Sequence, residues 1–517
     1  MSTSPKAAAP EREQWSGQLG FLMAAIGSAI GLGNIWRFPG VAYSNGGGAF
    51  MVPYIVALLL AGIPVLLLDY ALGHRFRGSA PAVFRRLARR FEWLGWWQVF
   101  INFVIMTYYA VIVAWSLRYM LYSFNLAWGD DAKGFFYGYI GLGDTPAYSA
   151  TPVHGVIIPL LLVWAFGLFT VARGVTNGIE KANKVFLPLL VVMFTILVIR
   201  AIMLPGATNG LNALFTPQWD ALGSYKVWMA AFGQIFFSLS VGFGIMLTYA
   251  SYLKPRSNLV GTGFVAAFAN SSFELLAGIG VFATLGFMAH AQGTTVDQLD
   301  GIAGPTLSFV TFPTVISQMP GGAIFGVLFF GSFFMAGLTS FISIIQVVVP
   351  AVAEKFGWSI PKATLISGLP AAVLSFVLFG TASGLYDLDA VDAYINNIGV
   401  VFSAIVMCIG VGWVLRRTKR LQRHLNLVSE TRIVGAWWRV MIEFVVPLLL
   451  GFMFVQALWG YATSGYEPSY PRHLEGVFGW GMLLLGAVLV AVFTAAPWRT
   501  KVDGFKPVDL DVLEGVK

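Results

Sequence analysis

Apolar residues along this chain neither alternate nor recur at every third or fourth position; they run in blocks long enough to be apolar on every face of a helix. Such blocks occupy residues 15–40, 48–73, 91–123, 153–172, 182–203, 226–252, 260–289, 322–353, 361–380, 391–415, 436–461 and 474–497. About 20 apolar residues in a helix cross the hydrocarbon of a bilayer, so the pattern predicts an all-α, polytopic membrane protein of twelve helices. Two blocks differ from the rest. Gly27, Gly31 and Gly33 crowd the middle of the first, and Ser238, Ser240, Gly242 and Gly244 the middle of the sixth. Small residues of this kind weaken a helix, glycine by about 1 kcal/mol each. The two blocks lie five spans apart, and an odd offset makes them run in opposite directions. That placement predicts an inverted repeat of spans 1–5 and 6–10 with helices 1 and 6 broken. Close packing through small residues accounts for either block alone, but not for their matched positions.

Composition agrees: 57% of the 517 residues are hydrophobic and 11% charged, against roughly 25% charged in a soluble domain, which excludes a soluble globular protein. Lys and Arg outnumber Asp and Glu by 32 to 24, and their distribution carries the information. Arg75, Arg77, Arg85, Arg86, Arg89 and Arg90 follow the second block, and Arg416, Arg417, Lys419, Arg420 and Arg423 follow the tenth. Smaller basic clusters follow the fourth, sixth and eighth, whereas residues 290–320 contain no Lys or Arg. Basic loops that alternate with non-basic ones place both termini in the cytoplasm of a plasma (inner) membrane protein and exclude a nucleic-acid partner. The predicted organisation is a cytoplasmic tail over 1–14 without the apolar core of a secretory signal, repeats over 15–203 and 224–415, two further helices over 434–498, and a tail over 499–517.

Candidate chemistry begins at the helix breaks. In hydrocarbon, freed N–H and C=O groups must be satisfied by protein, water or ligand. Amides at the start of a half-helix suit a carboxylate, and freed carbonyls suit Na+ or an ammonium group. Both poles of an amino acid would find partners. Other chemistry is poorly represented. The single cysteine, Cys408, excludes a disulfide framework and a cysteine metal site. His74, His154, His290, His424 and His473 are scattered singly, with no catalytic cluster, so an enzyme is not expected. Gly31-Leu32-Gly33 lacks the βαβ context of a nucleotide site.

The stretch GSAIGLGNIWRFP (Gly27 to Pro39), with SNGGGAF (Ser44 to Phe50), resembles the first span of the neurotransmitter:sodium symporter family. The resemblance continues in order through TYYAVIVAW (Thr107 to Trp115), GQIFFSLSVGFG (Gly233 to Gly244), TYASY (Thr248 to Tyr252), Asn270 and AGLTS (Ala336 to Ser340). It looks closest to the bacterial leucine-transporter branch and implies sodium-coupled amino-acid uptake by alternating access, with two Na+ ions. One sodium site would use the carbonyls of Gly27, Ile30 and Ala336 with the hydroxyls of Thr339 and Ser340. The other would use the Ala29 carbonyl, Asn34, Asn270, Ser238 and the substrate carboxylate. Neutral oxygens of this kind suit a weakly held monovalent ion better than Ca2+. The carboxylate would also meet the amides of Leu32 and Gly33 and the Tyr109 hydroxyl, and the ammonium the carbonyls of Ala29, Phe237 and Ser238 with the Ser240 hydroxyl. Ile105, Phe237, Phe243, Ser340 and Ile344 would surround the side chain. Monoamine carriers of the family place Asp where this chain has Gly31, so the resemblance implies a small or medium aliphatic α-amino acid. A betaine, a β- or γ-amino acid, a nontransporting sensor and a channel are the rival readings.

The resemblance also implies gates: Arg37 with Asp392 on the extracellular side, over Tyr109 and Phe237, and Arg12 with Glu354 on the intracellular side. Glu274, where chloride-dependent members have Ser, implies chloride-independent transport with proton counter-movement. Asp69 is expected to accept hydrogen bonds from the broken sixth helix. Gly178 and Pro188 bracket the start of the fifth span, a spacing that in the family lets this helix unwind; a helix-entry Gly and a kinking Pro are the plainer reading. The partners expected are the amino acid, sodium and lipid, with a homodimer left open.

Overall fold

The computed structural model describes residues 13–143, 146–299, 301, 303–430, 434–505 and 507. Ten uninterrupted helices are long and apolar enough to cross a membrane. They are helix 2 (Gly48–Phe76), helix 3 (Arg89–Tyr122), helix 4 (His154–Ala172), helix 5 (Val175–Ile202), helix 7 (Leu259–Gln292), helix 8 (Gly322–Phe356), helix 9 (Ile360–Phe379), helix 10 (Gly384–Val414), helix 11 (Ala436–Thr463) and helix 12 (Arg472–Ala495). Among the described residues, two broken helices join these ten. Helix 1 runs Gln18–Ala29 and Leu32–Ser44 with a 50° bend between the halves. Helix 6 runs Tyr225–Ser238 and Ile245–Ala250, with Leu239 to Gly244 non-helical between them.

Burial separates a centre from a rim. The most apolar stretch of helix 8 is 89% buried and that of helix 3 is 83% buried, against 22% for helices 11 and 12. Helices 3 and 8 pack along one another, helix 1 lies against helices 5, 7 and 8, and both halves of helix 6 lie against helix 2. The rim helices turn apolar side chains outward, among them Ile158, Leu162 and Phe169 of helix 4 and Leu484, Val488 and Val492 of helix 12. In water that surface would be unstable; a bilayer is the solvent that accommodates it.

The end of the bundle near the N-terminus is tied shut. Trp15 is buried against the rings of Phe21, Tyr249 and Tyr252, and its indole N–H donates to the Tyr249 carbonyl at 2.9 Å. Glu13 accepts from the N–H groups of Val175 and Thr176 at 2.8 and 2.9 Å, where helix 5 begins as a wide π-turn over Val175–Glu180. Glu180 answers by accepting from the N–H and hydroxyl of Ser16. At the same end the C-terminal segment straps across: Trp498 and Lys355 donate to Glu92 at 2.8 and 2.7 Å, and Arg85 grips Asp503 through two 2.7 Å bonds. That guanidinium holds the Asp503 carboxyl below the usual carboxylate range.

Candidate functional site

The break in helix 1 follows from where its hydrogen bonds go. The N–H of Ile30 still reaches the Ile26 carbonyl at 2.8 Å. The N–H of Gly31 instead donates to Asn34 Oδ1 at 2.9 Å, and that of Leu32 to the Tyr109 hydroxyl at 3.4 Å. The carbonyls of Gly27 and Ser28 therefore lose their helical donors. Both Ser240 and Ser340 donate to the Ser28 carbonyl, at 3.4 and 3.2 Å, drawing the breaks of helices 1 and 6 and helix 8 to one point.

The break in helix 6 depends on glycine. Gly242 and Gly244 have φ of +82° and +91°, and Ser240 has φ of +52°, a left-handed conformation that costs a non-glycine residue about 1–2 kcal/mol. Buried side chains take up the freed groups. Asp69 accepts from the Gly242 N–H at 3.0 Å, Gln98 and Ser403 donate to the Gly242 carbonyl at 3.1 and 2.6 Å, and Asn102 donates to the Phe243 carbonyl at 2.6 Å. The role expected of Asp69 is what the structure shows. Gln98, Asn102 and Ser403 are partners that the sequence did not reveal, since one polar residue on an apolar helix gives no pattern.

Between the breaks lies a cavity of about 180 Å³. Its lining includes the expected Ala29, Leu32, Gly33, Asn34, Ile105, Tyr109, Phe237, Ser238, Ser240, Phe243, Ser340 and Ile344, and also Ser28, Tyr108, Ile112 and Phe236. Asn270 joins through side chains: Asn34 Nδ2 donates to Asn270 Oδ1 at 2.8 Å and Asn270 Nδ2 to the Ser238 hydroxyl at 3.0 Å. Asn34, Asn270 and Ser238 thus form one buried chain of uncharged side chains, each amide N–H donating to the next oxygen. The Phe237 carbonyl, expected to face an ammonium, accepts from the Ser240 N–H at 3.4 Å, and the Ser240 hydroxyl is turned to Ser28 as above.

The other expected ion ligands sit behind this cavity. Ala336 and Thr339 are fully buried, and the Thr339 hydroxyl donates to the Met335 and Ala336 carbonyls, each at 3.1 Å. The Thr339 β-carbon lies 3.7 Å from the point where a β-carbon on Gly27 would sit. Gly27, Thr339 and Ser340 are accordingly gathered between helices 1 and 8, with Ile30 at the break.

Of the expected gates, Arg37 and Asp392 both line the outer reach of the cavity, yet no ion pair joins them among the described residues. Asp392 instead accepts from the Tyr108 hydroxyl at 2.6 Å and from Asn396 at 2.9 Å, while the Arg37 guanidinium stacks 4.6 Å from the centroid of the Phe237 ring. The cavity reaches toward this end and is closed toward Trp15. Arg12 lies outside the described residues. Its expected partner, Glu354, accepts from the Ser79 N–H and hydroxyl at 2.9 and 2.7 Å.

Glu274 is fully buried on helix 7, held by the Tyr54 hydroxyl and by Gln234 Nε2 at 2.6 Å. In helix 5, Gly178 sits within the π-turn, where a β-carbon would fall 1.9 Å from the Thr170 carbonyl oxygen, and Pro188 lies inside the helix. Glycine is therefore required there for close approach to helix 4.

Comparison with known proteins agrees with this geometry. The model of the sodium:neurotransmitter symporter family matches residues 12–137 and 148–501. An uncharacterized sodium-dependent transporter of Methanocaldococcus jannaschii is 40% identical over 464 residues, covering 88% of this chain and 92% of its own. An uncharacterized sodium-dependent transporter of Bacillus subtilis is 30% identical over 86% of this chain and 97% of its own. The Drosophila melanogaster sodium-dependent serotonin transporter is 28% identical over 93% of this chain and 82% of its own. Among solved structures, that of MhsT in complex with L-phenylalanine superimposes with a TM-score of 0.73 at 31% identity, covering 86% of this chain and all of that one. Twelve helices broken at positions 1 and 6, and relatives named for sodium dependence along nearly the whole length, lead to one conclusion: the chain belongs to the sodium:neurotransmitter symporter family, whose members couple transport to sodium.

Proposed function

We propose that the protein imports a small or medium aliphatic α-amino acid together with two sodium ions, by alternating access across the plasma membrane, with both termini cytoplasmic. The observation that carries this reading is the neighbourhood of Gly31. A β-carbon there would lie 3.0 Å from the Ser340 hydroxyl and 3.3 Å from the Tyr109 hydroxyl, so the position has no side chain beside the amides of Leu32 and Gly33. An Asp here would bring negative charge to the place where freed N–H groups favour a carboxylate. Its absence leaves the carboxylate for the cargo to supply, and through it one ligand of the sodium bound by Ala29, Asn34, Asn270 and Ser238. Cargo and ion then complete each other's coordination, which makes their binding mutually dependent. The second ion is assigned to Gly27, Ile30, Ala336, Thr339 and Ser340. Ile105, Phe243 and Ile344 bound the apolar end, which favours aliphatic side chains; the L-phenylalanine bound to MhsT supports an α-amino acid as the class. Arg37 and Asp392 close over the cargo, and Arg12 and Glu354 act at the other end.

Glu274 supplies fixed negative charge near the cation sites, so no chloride is needed; protonation of this carboxyl on the return step gives proton counter-movement. Glu274→Ser is expected to make sodium-dependent binding require chloride, measured by replacing chloride with gluconate.

A thermal-shift panel of the twenty amino acids, betaine and β- and γ-amino acids, each with Na+ or K+, tests the cargo. Stabilisation by Ala, Val, Leu or Met only with Na+ is expected. A response confined to betaine or to the β- and γ-amino acids would overturn the cargo assignment.

A further inference from the structure

Helix 5 turns one polar side chain inward that none of the roles above employs. Asn183 is fully buried and stands three residues beyond the π-turn. Its Nδ2 donates to the Ile179 carbonyl at 2.9 Å. That bond fixes the carboxamide and sends Oδ1 away from its own helix. Oδ1 has no hydrogen-bond partner, so it can take a ligand without giving up a bond to the protein. It is aimed at Gly27: it lies 2.2 Å from the point where a β-carbon on that residue would sit, the same point that is 3.7 Å from the Thr339 β-carbon. Gly27 and Thr339 are two of the residues assigned to the sodium ion between helices 1 and 8. A neutral amide oxygen belongs to the hard donor class that such an ion accepts.

We infer that Asn183 supplies a further oxygen to the sodium ion between helices 1 and 8, so that helix 5 closes this ion's site on the side away from the cargo cavity. The inference rests on the sodium assignment proposed above and adds a third helix to it. It also has a mechanical consequence. Asn183 is carried by the stretch between Gly178 and Pro188, and that stretch is tethered to the N-terminal segment through Glu180 and Ser16. Movement of the N-terminal segment that straightens or unwinds the start of helix 5 withdraws an ion ligand in the same motion. Release of this sodium and opening of the closed end then become one event.

The test is a sodium titration of the purified full-length protein in detergent without amino acid, at constant ionic strength with choline, reading the melting temperature. Asn183→Ala is expected to raise the sodium concentration for half-maximal stabilisation at least fivefold. Thr339→Ala should do likewise, and the double variant should be little worse than Thr339→Ala alone, because both remove ligands of one ion. With Asn34→Ala, at the other site, the effects should instead multiply. Asn183→Asp, nearly isosteric, should shift the half-maximal sodium concentration at least threefold and make it depend on pH; it decides the matter if Asn183→Ala does not fold. An unchanged sodium midpoint in either variant, as expected if Oδ1 merely holds a buried water, would overturn the inference while leaving the sodium assignment standing. A wild-type melting temperature indifferent to sodium with and without amino acid would instead sink that assignment.

Discussion

Tyr108 and Tyr109 are adjacent on helix 3, about 100° apart around its axis, and they serve opposite ends of the site. The Tyr109 hydroxyl accepts from the Leu32 N–H beside Gly31, whereas the Tyr108 hydroxyl donates to Asp392. If Tyr109 also meets the cargo carboxylate, its hydrogen bond to a charged group is worth about 1.5–3 kcal/mol. Tyr109→Phe should therefore raise the half-saturating amino-acid concentration by roughly tenfold to a hundredfold, measured by uptake or melting-temperature titration. Tyr108→Phe should leave that concentration near wild type. The TYY motif shows that a tyrosine faces the breaks but not how the pair divides its work; that depends on how helix 3 is rotated against helices 1 and 10, which packing sets. For the same reason Tyr54 and Gln234 around Glu274 were not legible, although Glu274 itself stands out as an acid in an apolar run.

At the scale of elements, the breaks in helices 1 and 6 were legible because glycine and serine clustered at the centre of an apolar block weaken a helix where hydrocarbon offers the freed backbone no water. What secures them was only partly so. Asp69 is conspicuous in sequence; Gln98, Asn102 and Ser403 are single polar residues on largely apolar helices and become meaningful only when they meet at Gly242 and Phe243. Gly242→Ala tests this cradle. A β-carbon there meets that of Ala404 at 2.8 Å with φ at +82°, so a loss of about 1–2 kcal/mol from the left-handed conformation alone is expected. In a chain of 517 residues that loss lowers the melting temperature by about 1–2 °C, with the contact against Ala404 adding to it, and an unchanged value would contradict the assignment. A second element-level prediction concerns Thr418–Val428, the helix that joins helices 10 and 11. Its His424 Nε2 lies 2.9 Å from His74 Nδ1, and His74 Nε2 lies 2.8 Å from the Lys254 carbonyl. Burial, then the neighbouring His74, Arg75 and Arg77, pushes His424 well below the usual histidine range. A neutral folded-state imidazole contributes stability above the ordinary histidine pKa of about 6.5, and that stability is lost as pH falls below it, by up to about 1.4 kcal/mol per pH unit. The melting temperature should drop between pH 7.5 and 5.5, and His424→Phe should flatten that part of the profile.

Over the whole molecule, hydropathy alone conveyed the spans, and the offset of the two glycine-rich blocks predicts an inverted repeat. Whether Arg37 and Asp392 pair was not legible, because charges at helix ends mark where a contact can form without saying whether it has formed. Here the end held by Trp15, Glu13 and Glu180 is closed, while Arg37 and Asp392 stand apart over a cavity that reaches the breaks. This is the arrangement from which cargo and sodium would load from the Arg37 side. The ties of Glu13 to helix 5 and of Ser16 to Glu180 are individually modest hydrogen bonds, suited to a contact that is made and broken in every cycle. The central claim is that peptide groups freed at two helix breaks bind cargo and sodium together, so that the sodium gradient drives the cargo. The direct measurement is uptake of a labelled amino acid chosen by the thermal-shift panel into proteoliposomes holding the full-length protein. Accumulation above the external concentration under an inward sodium gradient, abolished when K+ replaces Na+ or a sodium ionophore is added, is the predicted result; equal uptake in Na+ and K+ would contradict the account.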